Sequence, residues 1–463
     1  MTNSQTPQRK FTRRSFLKGM TVTLGGAALT ACVAPAPTTT TATQPTTAAA
    51  APAASPAPKQ KLPIIYWSMF GLEEAAQAQT QVDRFNKETG ENALFMSIGW
   101  GNIAQKVQIA IEGGNPPDIV SLWSQAYTWG PRGLLLPLED YAKADGWTGQ
   151  GWSKPAYDAL WSNGHLWGTG HTLNMFAMHV NQSLYEKGGY AANKPPTEIA
   201  ELDQMAEKLT VSDKDGNLTQ LGFLPWQNSN LWHWGWAFGG NFYDEPSDKV
   251  TCGTDERVVE ALKWFQSYAK KYNIDKIDRF RSGFGRATMS GDDPWYVGKV
   301  VMQMDGSWKR SWVPRYAPNL KYFVSKSPTK SGIDPVSLIE IGAMFNVPKG
   351  AKNPAGGWKL AKEFASKRCQ IEFGKLVGDI PPLIEAARDP DFLNAYPYNE
   401  LFIQMAEKGG RAWPRIPSLS LYQTELGRAV DEVVHGKTEP AAALQEVQAK
   451  VQKDLDEFRK QTS

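Results

Sequence analysis

Residues 62–122 determine the predicted fold; they read LPIIYWSMFGLEEAAQAQTQVDRFNKETGENALFMSIGWGNIAQKVQIAIEGGNPPDIVSL. Short apolar runs typical of strands alternate here with two segments of helical periodicity, which end at Gly90 and Gly113. The strands are predicted at residues 62–67, 94–98 and 118–122. Such an alternation builds a largely parallel sheet, whose ligands bind beyond the carboxyl ends of the strands. The sequence therefore predicts an α/β protein.

The chain is close to electrically neutral once its N-terminus is set aside. Six of the 50 Lys and Arg residues, and none of the 47 Asp and Glu residues, lie in residues 1–60. The rest of the chain carries 44 basic and 47 acidic residues, without a clustered basic face. This composition offers little to a phosphate backbone, so nucleic acid is excluded as the main partner.

The first 60 residues have the composition of an export signal followed by a tether. Arg13 and Arg14 precede a modestly apolar stretch and resemble the twin-arginine export signal. The run LTAC at residues 29–32 resembles the bacterial lipobox, in which the cysteine carries a lipid. We predict a signal peptide over residues 1–31, followed by a lipidated Cys32 and an Ala/Pro/Thr-rich tether over residues 32–60. The expected location is the outer face of the cytoplasmic membrane, extracellular or periplasmic.

Tryptophan is unusually frequent, with 18 in the chain, and four of them lie within residues 226–236. A helix over this segment places Trp232 and Trp236 on one face and Trp234 on roughly the opposite one, so they cannot all enter one core. An isolated tryptophan is more often a core residue, but here amides are interleaved with the indoles. Indole faces stack on the apolar face of a pyranose, and amides such as Gln227 and Asn230 pair with its hydroxyls. The cluster therefore indicates a carbohydrate site.

Several longer motifs occur in an order that is typical of one protein family. They are GNPPDIVSLW (114–123), GLLLPLEDY (133–141), HVNQSLYEKGG (179–189), GKVVMQMDGSW (298–308) and RIPSLSLY (415–422). Together they resemble the extracellular solute-binding proteins of ABC sugar importers, the group that includes maltose-binding protein. The resemblance implies a two-lobed periplasmic-binding-protein fold of type II, with hinged lobes and a ligand cleft between them.

The resemblance also implies that each lobe is discontinuous in sequence. One lobe is expected at residues 61–177 and 306–344, and the other at residues 178–305 and 345–463. The crossing strands between the lobes are expected near residues 175–180, 300–306 and 341–347. In such a fold the ligand stabilises the closed form through contacts that the open form lacks.

The implied function is transport without catalysis. A monomer would capture a neutral or weakly charged oligosaccharide, without a cofactor, and would deliver it to the ABC permease in the membrane. Carrying the family's contacts over residue by residue gives the candidate ligand-binding residues Trp67, Ser68, Trp123, Ser124, Gln125, Asn174, Trp232, Trp308 and Tyr422. The candidate set also includes Gln227, Asn230 and Trp236 of the tryptophan cluster, and Asp305. Ala126 stands where the family has an acidic contact beyond Trp123, which argues against maltodextrin itself.

Two other functions stay open at this stage. A secreted glycoside hydrolase would need two carboxylates beside the aromatics, and the adjacent acids are Glu73–Glu74, Asp244–Glu245 and Asp292–Asp293. A binder of a phosphorylated or anionic solute, such as a glycerophosphodiester, or of a peptide would clamp its ligand with Arg132, Arg286, Arg310 or Arg411.

The cysteines and histidines give no sign of a metal centre. Cys252 and Cys369 form a disulfide or are buried free thiols, and neither belongs to a C-x-x-C pair. The histidines lack the close spacing of metal ligands. We therefore expect no metal site.

Overall fold

The computed structural model describes residues 61–227, 230–284, 290–408 and 410–462. The predicted signal peptide with Arg13 and Arg14, the predicted lipidation site Cys32 and the predicted tether lie outside the described residues, as does Arg286. In the part of the chain that is described, no helix combines the length and the apolar character needed to span a bilayer.

The strands and helices have the following bounds. The strands are β1 (Ile64–Ser68), β2 (Ala93–Ser97), β3 (Ile119–Leu122), β4 (Trp161–Ser162), β5 (His165–Leu166), β6 (Thr169–Gly170), β7 (Leu173–Asn181), β8 (Val211–Ser212), β9 (Leu218–Gln220), β10 (Tyr243–Asp244), β11 (Lys249–Val250), β12 (Met302–Gly306), β13 (Tyr322–Ser325), β14 (Ile339–Ile341) and β15 (Met344–Asn346). The helices are α1 (Leu72–Thr89), α2 (Ile103–Glu112), α3 (Gln125–Trp129), α4 (Glu139–Ala144), α5 (Lys154–Asp158), α6 (Gln182–Lys187), α7 (Ile199–Leu209), α8 (Leu231–Ala237), α9 (Glu256–Tyr272), α10 (Ile274–Ser282), α11 (Lys309–Tyr316), α12 (Pro354–Phe364), α13 (Lys367–Val377), α14 (Ile384–Ala387), α15 (Pro390–Leu393), α16 (Asn399–Lys408), α17 (Leu419–Val434) and α18 (Pro440–Thr462).

The first sheet has the strand order β2–β1–β3–β15–β6. β1 runs parallel to β2 and β3, as the alternation of strands and helices predicts. β15 is antiparallel to β3 and β6, because it arrives directly from the second sheet and not through a crossover helix. Helix α12 covers this sheet: the ring centroid of Phe364 lies 4.4 Å from that of Phe345 and 5.3 Å from that of Tyr66. These aromatics form the core of the first lobe.

The second sheet is built around β7, the longest strand in the described residues. All nine residues of β7 are buried, so it shows no alternation of polar and apolar side chains. It pairs antiparallel with β12 along one edge. Along the other edge it pairs with β14 near its start and with β13 near its end. One strand thus carries three partners.

Helices complete the second lobe. α9 packs against α8, α17 and α18, and α17 packs against α18. α18 begins at Pro440 and buries one apolar face, as the periodicity of the C-terminal segment predicts. Its buried side chains include Leu444, Val447, Val451, Leu455 and Phe458. The start of α17 also contacts α3, where the Thr128 and Ser420 hydroxyls lie 3.0 Å apart.

The chain passes between the two sheets at residues 171–172 and again at residues 342–343. The amide of Gly342 donates to the carbonyl of Thr172 at 2.9 Å, so the two crossings lie side by side. The predicted crossing at 341–347 includes the second of them. Residues 175–180 lie wholly within β7, and residues 300–306 include β12 of the second sheet.

The sheet partners of three strands differ from the predicted division into lobes. Residues 306–344, predicted to belong to the first lobe, contain β13 and β14, which pair with β7 of the second sheet. Residues 345–463, predicted to belong to the second lobe, begin within β15, which belongs to the first sheet, and continue to α12, which packs on that sheet. β15 belongs to the first sheet because Met344–Asn346 is buried throughout and lies between β3 and β6.

A buried lysine anchors the segment that follows β12. Lys309 is fully buried, with its ammonium 3.0 Å from Asp305 and 3.2 Å from Asp293. The rings of Trp295 and Tyr296 lie 5.0 and 4.5 Å from the same ammonium. Burial raises the pKa of Asp305, and the charge of Lys309 opposes that rise. The carboxylates of Asp305 and Asp293 therefore depend on this cation.

Replacing Lys309 with methionine should destabilise the protein, since two buried carboxylates would lose their counter-charge. We expect the free energy of unfolding to fall by about 3–5 kcal/mol, measured by urea unfolding monitored by circular dichroism. The matched control is Lys330→Met, which removes an ion pair with Glu260 in which both side chains are nearly half exposed; it should cost less than about 1 kcal/mol. Equal effects of the two substitutions would contradict this account.

Candidate ligand-binding site

A cavity of about 540 Å³ lies where the end of β3 faces α8 and α17. It brings together five of the predicted ligand-binding residues: Trp123, Ser124, Gln125, Asn230 and Trp232. The first three come from the first lobe and the last two from the second lobe. The cavity therefore lies at the carboxyl end of a strand, as expected for a parallel α/β sheet, and between elements of both lobes.

The segment after β3 is held in place by its own amide and by α17. The side chain of Gln125 accepts a hydrogen bond from the backbone amide of Trp123 at 2.9 Å. The hydroxyl of Ser124 donates to the side chain of Gln423 at 3.3 Å. The half-buried ring of Trp123 meets that of Trp413 edge to face at 5.4 Å. These contacts fix one aromatic wall of the cavity.

The opposite wall begins at the N-terminus of α8. Asn230 caps this helix, because its side chain accepts from the backbone amide of His233 at 3.3 Å. Trp232 packs its ring 4.4 Å from Phe242 and 4.6 Å from Tyr422, and it lines the cavity although only 3% of its surface is exposed. Trp232 is thus both a packing residue and part of the cavity wall.

The arrangement of the tryptophans on α8 agrees with the helical pattern. The rings of Trp232 and Trp236 are neighbours at 6.1 Å. Trp234 points instead into the core of the second lobe, against Phe223 and Trp264. Its indole nitrogen donates to the carbonyl of Pro225 at 2.9 Å. Trp234 is therefore a core residue, whereas its two neighbours reach cavities.

A second cavity, of about 610 Å³, adjoins the first. Trp236 lines the second cavity, and Trp413 lines both. Its remaining lining includes charged side chains of both signs: Lys154, Asp158, Asp244, Glu245, Glu407, Lys408, Arg411 and Arg415. Trp413 is thus a wall residue of both cavities.

Charged groups at the first cavity are paired. His435 lies 2.9 Å from Asp278 and 3.3 Å from Asp431, and a backbone hydrogen bond to Asp431 together with Asp278 raises the pKa of His435. Arg281 donates to the side chain of Gln227 at 3.1 Å. This wall therefore carries charges of both signs.

Several predicted ligand-binding residues have structural contacts instead. Ser68 is fully buried, and its hydroxyl accepts from the amide of Phe70 at 3.1 Å. Asp305 forms an ion pair with the buried Lys309. Tyr422 is fully buried and donates to the carbonyl of Phe242 at 2.8 Å, because its helix faces the core of the second lobe. None of these three lines either of the two cavities.

Three further predicted residues lie near the ends of strands but outside both cavities. Trp67 is half-buried at the end of β1. Trp308 is half-buried and contacts Phe176 edge to face at 5.4 Å. Asn174 is 8% exposed at the start of β7 and donates to Glu340 at 3.3 Å. Gln227 approaches the first cavity through its contact with Arg281.

The cavity also contains residues that the prediction omits. Trp226 belongs to the tryptophan cluster, and Gln423 directly follows Tyr422. Trp413 and Arg281 come from segments that carry no motif of their own. The tryptophan count offered a signal for Trp226, whereas Trp413 reaches the cavity only through the tertiary fold.

Several residues of the alternative functions are engaged elsewhere, whereas Asp244, Glu245 and Arg411 line the second cavity. Arg132 pairs with Asp454 at 2.6 Å, and Arg310 is buried with hydrogen bonds to Asn399 and to backbone carbonyls. Glu73 pairs with Arg315, and Asp293 with Lys309. Cys252 and Cys369 are buried free thiols, and burial raises the pKa of both.

Solved structures share this fold. The chain is similar to CpMnBP1 with mannobiose bound (TM-score 0.76, 28% sequence identity, covering 84% of this chain and 99% of that chain) and with mannotriose bound (0.75, 27%, 84% and 100%). Maltose-bound MalE3 of T. maritima has the same fold (0.69, 19%, 85% and 100%). The predicted α/β class with two lobes is confirmed by these two-lobed proteins.

Sequence comparison leads to the same group. A binding protein of Brucella abortus strain 2308 is 22% identical over 363 residues, which cover 77% of this chain and 84% of that protein. Residues 71–370, about two thirds of the chain, match the description "bacterial extracellular solute-binding protein", so this chain belongs to that family of binding proteins.

Proposed function

We propose that this protein captures a neutral or weakly charged oligosaccharide between its lobes and delivers it to the permease of an ABC importer. The observation that carries the proposal is the convergence of indole rings from both lobes on one cavity: Trp123, Trp226, Trp232 and Trp413. Indole faces suit the apolar faces of sugar rings, and a site closed by two lobes excludes water from the hydroxyls.

Polar groups at the same cavity support a neutral ligand. Gln125, Gln423 and Asn230 provide amides that donate and accept hydrogen bonds, as hydroxyls do. Asp278 and Asp431 offset the charge of Arg281 at the wall. The relatives solved with mannobiose, mannotriose and maltose support an oligosaccharide in particular. The second cavity, which shares Trp413 with the first, would accommodate further sugar rings.

Truncation of a cavity tryptophan tests the proposal. Trp226→Ala should lower affinity for the oligosaccharide by about 1–3 kcal/mol, because a half-buried ring that stacks on the ligand is lost. The measurement is calorimetric titration with the sugar that gives the largest thermal shift among mannose- and glucose-based chains. The matched control is Trp147→Ala, a partly buried indole of the first lobe that packs against Trp152 and Trp358 and lines neither cavity. Its affinity should equal that of the wild type; equal losses in both variants would refute stacking on Trp226.

The dependence of affinity on salt distinguishes a neutral sugar from an anionic solute. Because the charges at the cavity wall offset one another, the affinity should stay within about twofold as salt is raised well above 0.15 M. A sharp fall of affinity with salt would instead favour the phosphorylated, anionic or peptide ligand. Titrations at two salt concentrations with the same protein sample decide between them.

We further propose that the protein is exported and held at the outer face of the cytoplasmic membrane by a lipid on Cys32. The support is the twin-arginine pattern at Arg13 and Arg14, the LTAC run at residues 29–32 and the Ala/Pro/Thr-rich segment that follows. A tether between the lipid and the folded part would let that part meet both solute and permease.

Removal of the lipidation site tests the anchor. Cys32→Ala should move the protein from the membrane fraction to the soluble extracellular or periplasmic fraction, since a single leader without the lipid cannot hold it. Immunoblots of fractionated cells measure the distribution. Cys252→Ala serves as the control, because that thiol is buried in the second lobe and should leave the distribution unchanged. Membrane retention of the Cys32→Ala protein would contradict the proposed anchor.

A further inference from the structure

A polar pair lies beside the two crossings between the sheets. Asn174 on β7 and Glu340 on β14 are direct cross-strand partners, two residues from the crossings at 171–172 and 342–343. Both side chains are more than nine-tenths buried. The amide nitrogen of Asn174 donates to one carboxyl oxygen of Glu340 at 3.3 Å. This hydrogen bond engages Oε1 of Glu340 and the amide nitrogen of Asn174.

The other half of each group is an acceptor without a donor. Within the described residues, Oε2 of Glu340 and Oδ1 of Asn174 have no hydrogen-bond partner and no contact with solvent. An atom without contact to solvent touches no space that would admit water, so a buried water cannot supply the missing bond. Two buried acceptors without a donor would cost about 1–3 kcal/mol each.

Nearby charged groups do not compensate a carboxylate at this position. Asp379 and Tyr127 face Glu340 from neighbouring segments, and neither is a cation. Helix α5 packs against β14, but its Lys154 pairs with Asp158 and is largely exposed. Arg411 bonds β14 through its backbone, and its side chain is exposed. The charges around Glu340 thus favour the neutral carboxylic acid.

We propose that Glu340 is protonated and donates from its carboxyl group to Oδ1 of Asn174, so that acid and amide form two reciprocal hydrogen bonds across β7 and β14. One proton satisfies both remaining oxygens, neither of which has another hydrogen-bond partner within the described residues. Glu340 is thereby a positioning residue that fixes the Asn174 amide beside the crossings. If Gly342 carried a Cβ atom, that atom would lie 2.4 Å from Oδ1 of Asn174. This oxygen therefore lies directly against the second crossing.

Burial raises the pKa of Glu340 to about 8, and the charge of Asp379 adds to the rise. Burial also raises the pKa of Asp379 to about 7, so that at neutral pH part of the Asp379 carboxyl is protonated and uncharged. Because the pKa of Glu340 is higher in the folded than in the unfolded protein, its stabilising effect is complete below the ordinary glutamate range of about 4.3. The effect is lost as the pH rises towards about 8. This proposal does not depend on the identity of the ligand.

The test compares the wild type with Glu340→Gln, whose amide can donate and accept at every pH. The unfolding equilibrium of each protein is measured with urea at about pH 5, 7 and 9. The ratio of the two equilibrium constants should move in favour of Glu340→Gln by on the order of 10-fold or more between the lowest and highest pH. Glu340→Leu, which can form neither bond, should be less stable than Glu340→Gln at all three. Thr172→Val, which removes a hydroxyl beside the same crossing, should keep the pH dependence of the wild type.

Infrared difference spectra provide a second readout that a merely structural role would not produce. At about pH 7 the wild type should show the carbonyl band of a protonated carboxyl group that Glu340→Gln lacks, and the band should fade as the pH passes the raised pKa. The proposal is overturned if the two proteins have parallel pH profiles, or if Glu340→Gln is no more stable than Glu340→Leu. It is equally overturned if Glu340→Gln does not fold, since the amide preserves both bonds.

Discussion

The pairing of β7 with three strands is the constraint on which the rest of the structure depends. β7 begins directly after the first crossing and holds β12, β13 and β14 in one sheet. β14 in turn leads into the second crossing and then into β15 of the first sheet. Any displacement of β7 would therefore move both connections between the lobes. This explains why all nine residues of β7 are buried and why its polar side chains need partners within the protein.

The polar groups around the crossings meet this demand with bonds inside the protein. Ser307, which follows β12, donates to Asp379 at 2.6 Å. Arg310 is fully buried and donates to the carbonyl of Ser307 at 3.0 Å and to the side chain of Asn399 at 2.6 Å. Burial lowers the pKa of Arg310 to about 10, so the guanidinium stays charged at neutral pH. An arginine that the sequence offers as a ligand clamp thus joins the segment after β12 to the start of α16.

Periodic apolar patterns predicted the fold wherever a segment buries only one face. They indicate β1, β2, β3 and the helices between them, the C-terminal helix α18 and the two faces of α8. They give less information where strands are buried on both faces, because β7, β12 and β15 are buried throughout and mix polar with apolar residues. Assignment of such strands to a sheet depends on their neighbours in space. This is why the ranges 306–344 and 345–463 were assigned to lobes that the pairing of β13, β14 and β15 does not match.

The same distinction applies to the candidate site. Trp123, Ser124 and Gln125 follow a predicted strand, and Asn230 and Trp232 lie on a predicted helix, so local sequence sufficed for them. Trp413 and Gln423 lie almost 300 residues beyond Trp123 and reach it only because α17 returns to the first lobe. Buried acids such as Asp305 and Glu340 look alike in sequence, yet one is bound to a lysine and the other to an amide. Their roles follow from neighbours that no local pattern specifies.

The location of Trp413 connects the two cavities with the first lobe. Its ring meets Trp123 of the first lobe and borders both the cavity of Trp232 and that of Trp236. Because an apolar ring contributes to binding in proportion to the area that a ligand covers, a change at Trp413 would alter the walls of both cavities, whereas a change at Trp232 or Trp236 would alter one.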